Sequence, residues 1–370
     1  MKLESLELKG FRTYVSLALE FPARLTFIIG PNANGKTNIL EAIGMLSFGK
    51  SFRGAPDIDL VNHAGSAYHV SGRFEKRGRH FELALGCDIS GSKLRRRIVL
   101  NGKQLAGRAQ MIGHLVSVIM SPADILIVDG GPAYRRRFLD QVLSYQNPDY
   151  LRDLLSYNRA LRQRNALLKK IKGQRERIKE LGPWQVELAR FGDSLTRARQ
   201  RFVSEFQDTF RESLGSISNT RDEIGLRLEY SAEREPEGLQ QALDYYVSRD
   251  IALGHTTVGP HRQNLLFERD RMDITRFGSQ GQKRSLVLAL RIAQFSFLRE
   301  RLDLPPVLLI DDVIRELDAA RRAAFVTLLR SCGQAIFTTP DLDGLMIDDF
   351  QQDSAVLRVT SPGRVESLSK

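Results

Sequence analysis

Eight residues near the start of the chain constrain it most. Gly30-Pro31-Asn32-Ala33-Asn34-Gly35-Lys36-Thr37 follows the apolar run Leu25-Thr26-Phe27-Ile28-Ile29 and leads into Thr37 to Phe48, whose apolar residues recur at helical spacing. A G-x-x-x-x-G-K-[ST] loop between a buried strand and a helix forms a phosphate cradle. Its glycines leave backbone N–H groups bare, free to curl round phosphate oxygens, and the helix adds the positive end of its dipole. Lys36 is suited to the β- and γ-phosphates, and the Thr37 hydroxyl to Mg²⁺. A chain built on this unit is an α/β protein.

The acidic partners of such a loop stand far downstream. Pro305-Pro306 introduces Val307-Leu308-Leu309-Ile310, a second buried strand, ending in Asp311-Asp312. Asp311 would reach the Mg²⁺ through water, and Asp312 would orient or deprotonate the attacking water. Two aspartates at that point would also serve to cap the next helix. About 25 residues before this strand, Gly278-Ser279-Gln280-Gly281-Gln282 opens a helix with Leu286, Leu290, Ala293 and Phe297 on one face. Ser279 suits an N-cap, and the glycine leaves bare donors at a positive helix end. The pentapeptide is thus either an ordinary capped helix or a second anion site, which a simple kinase or GTPase would not need.

Between these motifs the period of the pattern changes twice. Alternating residues predict antiparallel strands over Leu3 to Phe21, Val70 to Phe74, Phe81 to Leu85 and Ile98 to Leu100, with Asn101-Gly102 as a tight turn. From about Pro132 the spacing is helical for some eighty residues. One long helix is marked by Leu151 to Ile171, Gly182-Pro183 breaks it, and a return helix follows from Trp184 to Phe202. The predicted division is residues 1–120 as the amino-terminal part of an ATPase lobe, 121–302 as a mostly helical lobe with an antiparallel arm, and 303–370 as the return to the first lobe.

The net charge of +11 is concentrated in that arm. Between Leu151 and Phe202 fourteen Lys/Arg face five Asp/Glu. Charge runs are usually solvated faces, but so lopsided a balance favours a surface that tracks phosphates. Arg162, Arg164, Lys169, Lys170 and Lys172 are its candidates, extended by Arg135-Arg136-Arg137 and by Lys93 to Arg97. No apolar run approaches the roughly 20 residues that span a bilayer, and the first residues lack a secretory pattern, so a cytoplasmic protein without a membrane partner is expected. Cys87 and Cys332 stand alone, which speaks against disulfides or zinc.

Several segments together resemble one family. Leu8-Lys9-Gly10-Phe11-Arg12-Thr13-Tyr14 is similar to the F-R-x-Y opening of the SMC/RecF branch of ABC ATPases, and Thr37-Asn38 to its GK[ST]N variant. Gly49-Lys50-Ser51-Phe52-Arg53, Ser121-Pro122-Ala123-Asp124, Gly131-Pro132 through Asp140, Tyr157 to Asn165, Gly259-Pro260-His261-Arg262 and Ser279-Gln280-Gly281-Gln282 resemble RecF stretches in order. The resemblance implies an ABC-ATPase head without the long coiled coil of SMC proteins. It implies ATP and Mg²⁺ as ligands, an ATP-dependent homodimer and slow, DNA-dependent hydrolysis. Gapped or single-stranded DNA, RecO and RecR are the implied partners, in recombinational repair, replication restart and SOS induction. Arg12 and Asn38 would lie at the nucleotide, while Ser279, Gln280, Gly281 and Gln282 would act across the dimer. Glu316, Leu317 and Asp318 would form the D-loop.

The chain departs from the family pattern at Gln263-Asn264, where two aspartates are usual, at Arg315 in place of serine, and at Asp129-Gly130-Gly131 in place of K-G-S. Thr338-Thr339 stands where transporters carry a histidine, so the six histidines are read as structural, with His261 held by its motif. Three other classes share parts of the pattern. A transporter subunit would not need the basic arm, an OLD-type nuclease would need a further domain after Asp318, and a scaffold would bind ATP and DNA without turnover.

Overall fold

The structure, a computed structural model, describes residues 1–91, 94–172, 175–217, 224–230, 238–314, 317–342 and 353–368. Strands β1 (Lys2–Phe11), β2 (Tyr14–Glu20) and β3 (Leu25–Ile29) lead to helix α1 (Lys36–Phe48). Then come β4 (Ala67–Lys76), β5 (Arg79–Asp88), β6 (Arg95–Leu100), β7 (Lys103–Gln104), α2 (Arg108–Met111) and β8 (Ser117–Met120). The middle of the chain holds α3 (Leu126–Asp129), α4 (Pro132–Gln146), α5 (Pro148–Lys170), α6 (Gly182–Ile217), β9 (Gly225–Glu229), α7 (Leu239–Tyr245) and α8 (Val247–Leu253). It continues with β10 (Asn264–Arg269), β11 (Met272–Asp273), α9 (Ile274–Phe277) and α10 (Gln280–Leu302). The last stretch adds β12 (Val307–Asp311), α11 (Ala319–Ser331), β13 (Gln334–Thr339), β14 (Ser354–Ser361) and β15 (Arg364–Leu368).

Two compact units emerge. The first comprises Met1–Asp124 and Leu288–Lys370, with the end of α6 near Ser216. It holds two six-stranded sheets. The antiparallel one has the order β2-β1-β4-β5-β6-β7, and the mixed one β15-β14-β3-β13-β12-β8. In the mixed sheet β14, β3, β13, β12 and β8 run parallel and β15 antiparallel. Every residue of β3 and of β12 is buried, as parallel strands covered on both faces require. Helix α1 packs on strands of both sheets, which is why eleven of its residues are buried, Glu41 among them. The predicted turn at Asn101-Gly102 has φ of 49° and 76° and joins β6 to β7 in the two-residue manner expected of it.

The second unit comprises residues 125–215 and 220–287. Phe202, Phe206 and Phe210, one turn apart on α6, form its apolar spine, with Phe202 and Phe206 stacked at 4.8 Å. Asn147 caps α5 by accepting from the Asp149 and Tyr150 amides, and Pro148 follows at its first position. The long helix ends at Lys170, earlier than Gly182-Pro183 suggested; a short 3₁₀ turn, Arg175–Leu181, intervenes. Pro183 therefore lies in the first turn of α6, where a missing N–H costs nothing. The return to the first unit falls at Leu288, inside α10, and no break in composition marks it. No helix among the described residues is long and apolar enough to cross a membrane.

Candidate functional site

The phosphate-type loop leaves the carboxyl end of β3, and Asp311 closes the carboxyl end of β12 with β13 between them. Open α/β sheets place ligands at such ends. There, Thr37 donates its hydroxyl proton to Asp311 Oδ1 at 2.7 Å, and Thr338 donates to the same oxygen at 2.6 Å. Asp312 follows with a φ of 50° and its amide bound to the Thr338 carbonyl. A cavity of about 350 Å³ lies against Lys36, Thr37, Asn38, Asp311, Asp312 and Thr338. Sequence spacing alone paired Lys36 and Thr37 with Asp311 and Asp312, and the fold brings these four together.

The loop is fixed by its own geometry. Gly30 has φ 147°, and a Cβ there would stand 2.4 Å from the Val359 carbonyl oxygen; at Gly35 (φ 98°) it would meet Thr13 Oγ1 at 2.5 Å. Neither position admits a larger residue without moving a neighbour. Lys36 Nζ donates to the Gly30 and Pro31 carbonyls at 2.6 and 2.9 Å. Burial lowers its pKa, against the pull of Asp312 and Asp311. Tyr14, fully buried, donates to the Gly35 carbonyl at 3.1 Å, and Asn38 donates to Thr13 at 3.1 Å. Asn32 and Ala33 complete the near wall.

Arg12 stands behind this wall. Its guanidinium grips the buried Glu41 with two bonds of 2.9 and 2.8 Å and the Asp59 carbonyl with a third. A second cation in the cavity wall, besides Lys36, is Arg53, about half exposed, which reaches Asn38 Oδ1 at 3.5 Å and Glu41 at 3.9 Å. Sequence reasoning did not single out Arg53; its signal lay in the Gly49 to Arg53 stretch. For Thr338 the sequence signals only that it stands where transporters carry a histidine.

The donor set fits Mg²⁺. A hydroxyl and a carboxylate are hard oxygen ligands, and they already converge within hydrogen-bond distance. Of the predicted D-loop, Glu316, like Arg315, lies outside the described residues. Leu317 is buried, and Asp318 caps α11 by accepting from the Arg321 amide at 3.0 Å.

The Gly278 to Gln282 stretch is exposed at Ser279, Gln280 and Gly281. Ser279 Oγ accepts from the Gln282 amide at 3.2 Å, and Gln282 Oε1 accepts from the Ser279 amide at 2.9 Å. This reciprocal pair is a capping box, so the expected capped helix is present, and its first residues are exposed. Asp129 and Asn264, two of the departures, acquire a local reason. Asp129 pairs with Lys283 at 2.7 Å, and Asn264 accepts from Arg135 Nε at 2.7 Å. Gln263 accepts from the Arg199 guanidinium at 2.8 Å.

The basic candidates divide. Arg162, Lys169, Lys170 and Lys172 are exposed. Arg164 is not: it is fully buried, with Nη1 donating to Asp250 and to Thr256 at 2.7 Å each. Arg135 is also buried and donates to the carbonyls of Ile127, Val128 and Gly130. These two are corrections to the expected surface, since a guanidinium enclosed by its partners cannot track a solvent-borne phosphate. Arg136 is half-buried and donates to the Gln263 carbonyl at 2.8 Å. His261 is held as its motif suggested, between Tyr157 Oη at 2.6 Å and the Thr256 carbonyl at 3.1 Å.

Comparison with known proteins adds to this geometry. Residues 2–348 match the family described as RecF/RecN/SMC N terminal domain. The chain is 39% identical over 371 residues to the DNA replication and repair protein RecF of Leptospira interrogans, covering 100% of both. It is 34% identical over 373 residues to the protein of the same name from Agathobacter rectalis, again covering 100% of both. The solved structure of the recombination mediator protein RecF with ATP in the RecFOR pathway matches with a TM-score of 0.88 at 30% identity, over 99% of this chain and 97% of that one. The Smc head domain from Pyrococcus furiosus, at 20% identity and a TM-score of 0.54 over 99% of this chain and 96% of that one, shares the fold. The architecture is that of an ABC-ATPase head.

Proposed function

This chain belongs to the RecF family, and we propose that it is an ATP-dependent DNA-binding recombination mediator. Two copies close on ATP, hold DNA at a gap or single-stranded stretch, and reopen on slow hydrolysis, with RecO and RecR as partners in repair, replication restart and SOS induction. The observation that carries the nucleotide half is the convergence of Thr37, Thr338 and Asp311 beside a buried lysine. A similar solved structure, that of RecF with ATP, supports the choice of nucleotide.

Each residue then has a task. Lys36, poorly hydrated where it lies, would exchange its two carbonyl partners for phosphate oxygens. Thr37 and Asp311 would hold Mg²⁺, which offsets phosphate charge when bound. Asp312, in the cavity wall, would orient the attacking water and take its proton. Ser279 and the backbone amides beside it would meet the triphosphate held by the other copy, and the exposure of this loop supports that role. The exposed Arg162, Lys169, Lys170 and Lys172 would engage DNA phosphates.

Lys36→Met removes charge-assisted hydrogen bonds of about 1.5–3 kcal/mol each. Affinity for a fluorescent ATP analogue should fall by about 100-fold or more, and retained affinity would sink the nucleotide reading. Asp312→Asn should accumulate an ATP-bound dimer. Sedimentation that finds this variant monomeric at saturating ATP would count against the closing step.

A further inference from the structure

Lys283 occupies an unusual place. It lies one residue past the capping box, in the first turns of α10, where the helix dipole disfavours a cation. Side chains in an α-helix lean toward its amino terminus, so a lysine here leans toward the Ser279 mouth. It does not stand alone: its ammonium meets Asp129 Oδ1 at 2.7 Å, with the lysine only 13% exposed and the aspartate 30%. Asp129 is the last residue of α3, and the carboxyl end of that helix is pinned by Arg135. One guanidinium nitrogen there binds the carbonyls of Ile127, Val128 and Gly130, at 3.2, 3.3 and 2.9 Å. The carboxylate is therefore delivered from a rigid mount.

We propose that Asp129 is a positioning residue for the Ser279 loop. It holds the Lys283 ammonium back, so that this side chain adds no mobile cation to the backbone amides and hydroxyl that the loop offers its partner. This rests on the reading that the loop faces a triphosphate bound by a second copy. The consequence concerns release. An added cation at each of two symmetric sites would tighten the closed dimer and delay its reopening, and a mediator that must let go of DNA is better served by a neutralised lysine. A fixed carboxylate on another helix sets that balance without entering the nucleotide site.

The test compares wild-type protein with Asp129→Asn, Lys283→Gln and the double variant, reading the dimer dissociation constant by sedimentation at saturating ATPγS. A helix-end charge effect of about threefold per site compounds over two sites, so Asp129→Asn should tighten the dimer about tenfold. The double variant should return to within about twofold of wild type, because the effect runs through the lysine. A purely structural role for Asp129 would instead loosen the dimer, and Lys283→Gln would not rescue it; either result overturns the proposal, as does an unchanged constant. Ser279→Arg separates the two levels. If it still dimerises on nucleotide, the facing-loop reading itself is wrong; if it does not dimerise while Asp129→Asn is silent, only the role of Asp129 falls.

Discussion

Arg162 and Arg164 stand two residues apart on α5 and live in different media. Arg162 lies on the exposed face of the arm. Arg164 lies in a buried polar seam with Asp250, Thr256 and Asn165, where Asp250 also accepts from the amide and hydroxyl of Thr257. Arg199 repeats the pattern on α6: it is buried and bound to Asp140, to the Tyr150 hydroxyl and to the Pro260 carbonyl. The same residue type serves as a solvated charge on one face and as an internal fastener on the other. What decides is whether a carboxylate arrives from elsewhere in the chain. Both carboxylates, Asp140 and Asp250, come from outside the strongly basic Leu151 to Phe202 stretch.

The sharpest test of this difference is truncation. Removing one member of a buried ion pair leaves the other uncompensated, at a cost of about 3–5 kcal/mol. Arg164→Ala should destabilise the chain by that amount in urea, whereas Arg162→Ala should stay within about 0.5 kcal/mol of wild type. Equal effects at the two positions would erase the distinction between face and seam.

A smaller effect comes from acid. Burial pushes the His261 imidazole down to about 4, from about 6.5 when unfolded. Its Nε2 faces a carbonyl, which only accepts, so the proton sits there and Nδ1 receives the Tyr157 hydroxyl. The unfolded chain thus binds a proton at higher pH than the folded one. Stability contributed by the neutral ring is complete above about 6.5 and is lost as pH falls towards 4, by about 3 kcal/mol in all. The difference between wild type and His261→Gln, followed by denaturation from pH 7 to 4, isolates this from carboxylate titration. A constant difference would place the ring in contact with solvent.

The nucleotide pocket and the arm also differ in how well a sequence announces them. Lys36, Thr37, Asp311 and Asp312 were legible because each chemical role demands one residue type at one place relative to a strand end. The capping of α10 by Ser279 was legible for the same reason. Arg53 was not, since an arginine in a loop carries no spacing rule, and it reaches the cavity only because α1 and the following turn fold back on Asn38. The buried state of Arg135 and Arg164 was hidden too. The partners of Arg164 lie 86 and 92 residues further along, and Arg135 combines the nearby carbonyls of Ile127, Val128 and Gly130 with the distant Asn264. The strands, the basic arm and its two helices followed from periodicity, but the end of α5 at Lys170 did not, because the residues after it keep helical composition while the backbone tightens into a 3₁₀ turn.

The smallest change in stability and the most selective change in function belong to the exposed face. Arg162→Glu, Lys169→Glu and Lys172→Glu together leave the seam untouched, so unfolding should shift by no more than about 0.5 kcal/mol per site. DNA affinity should fall, and its dependence on salt should flatten by up to about one unit of log–log slope for each phosphate no longer neutralised. Titration of a gapped duplex at several salt concentrations reads both. A lower affinity with an unchanged slope would mean that these residues act through folding after all. An unchanged affinity would move the DNA-binding cations off α5, to a face where arginines such as Arg95 and Arg97 of β6 stand equally exposed.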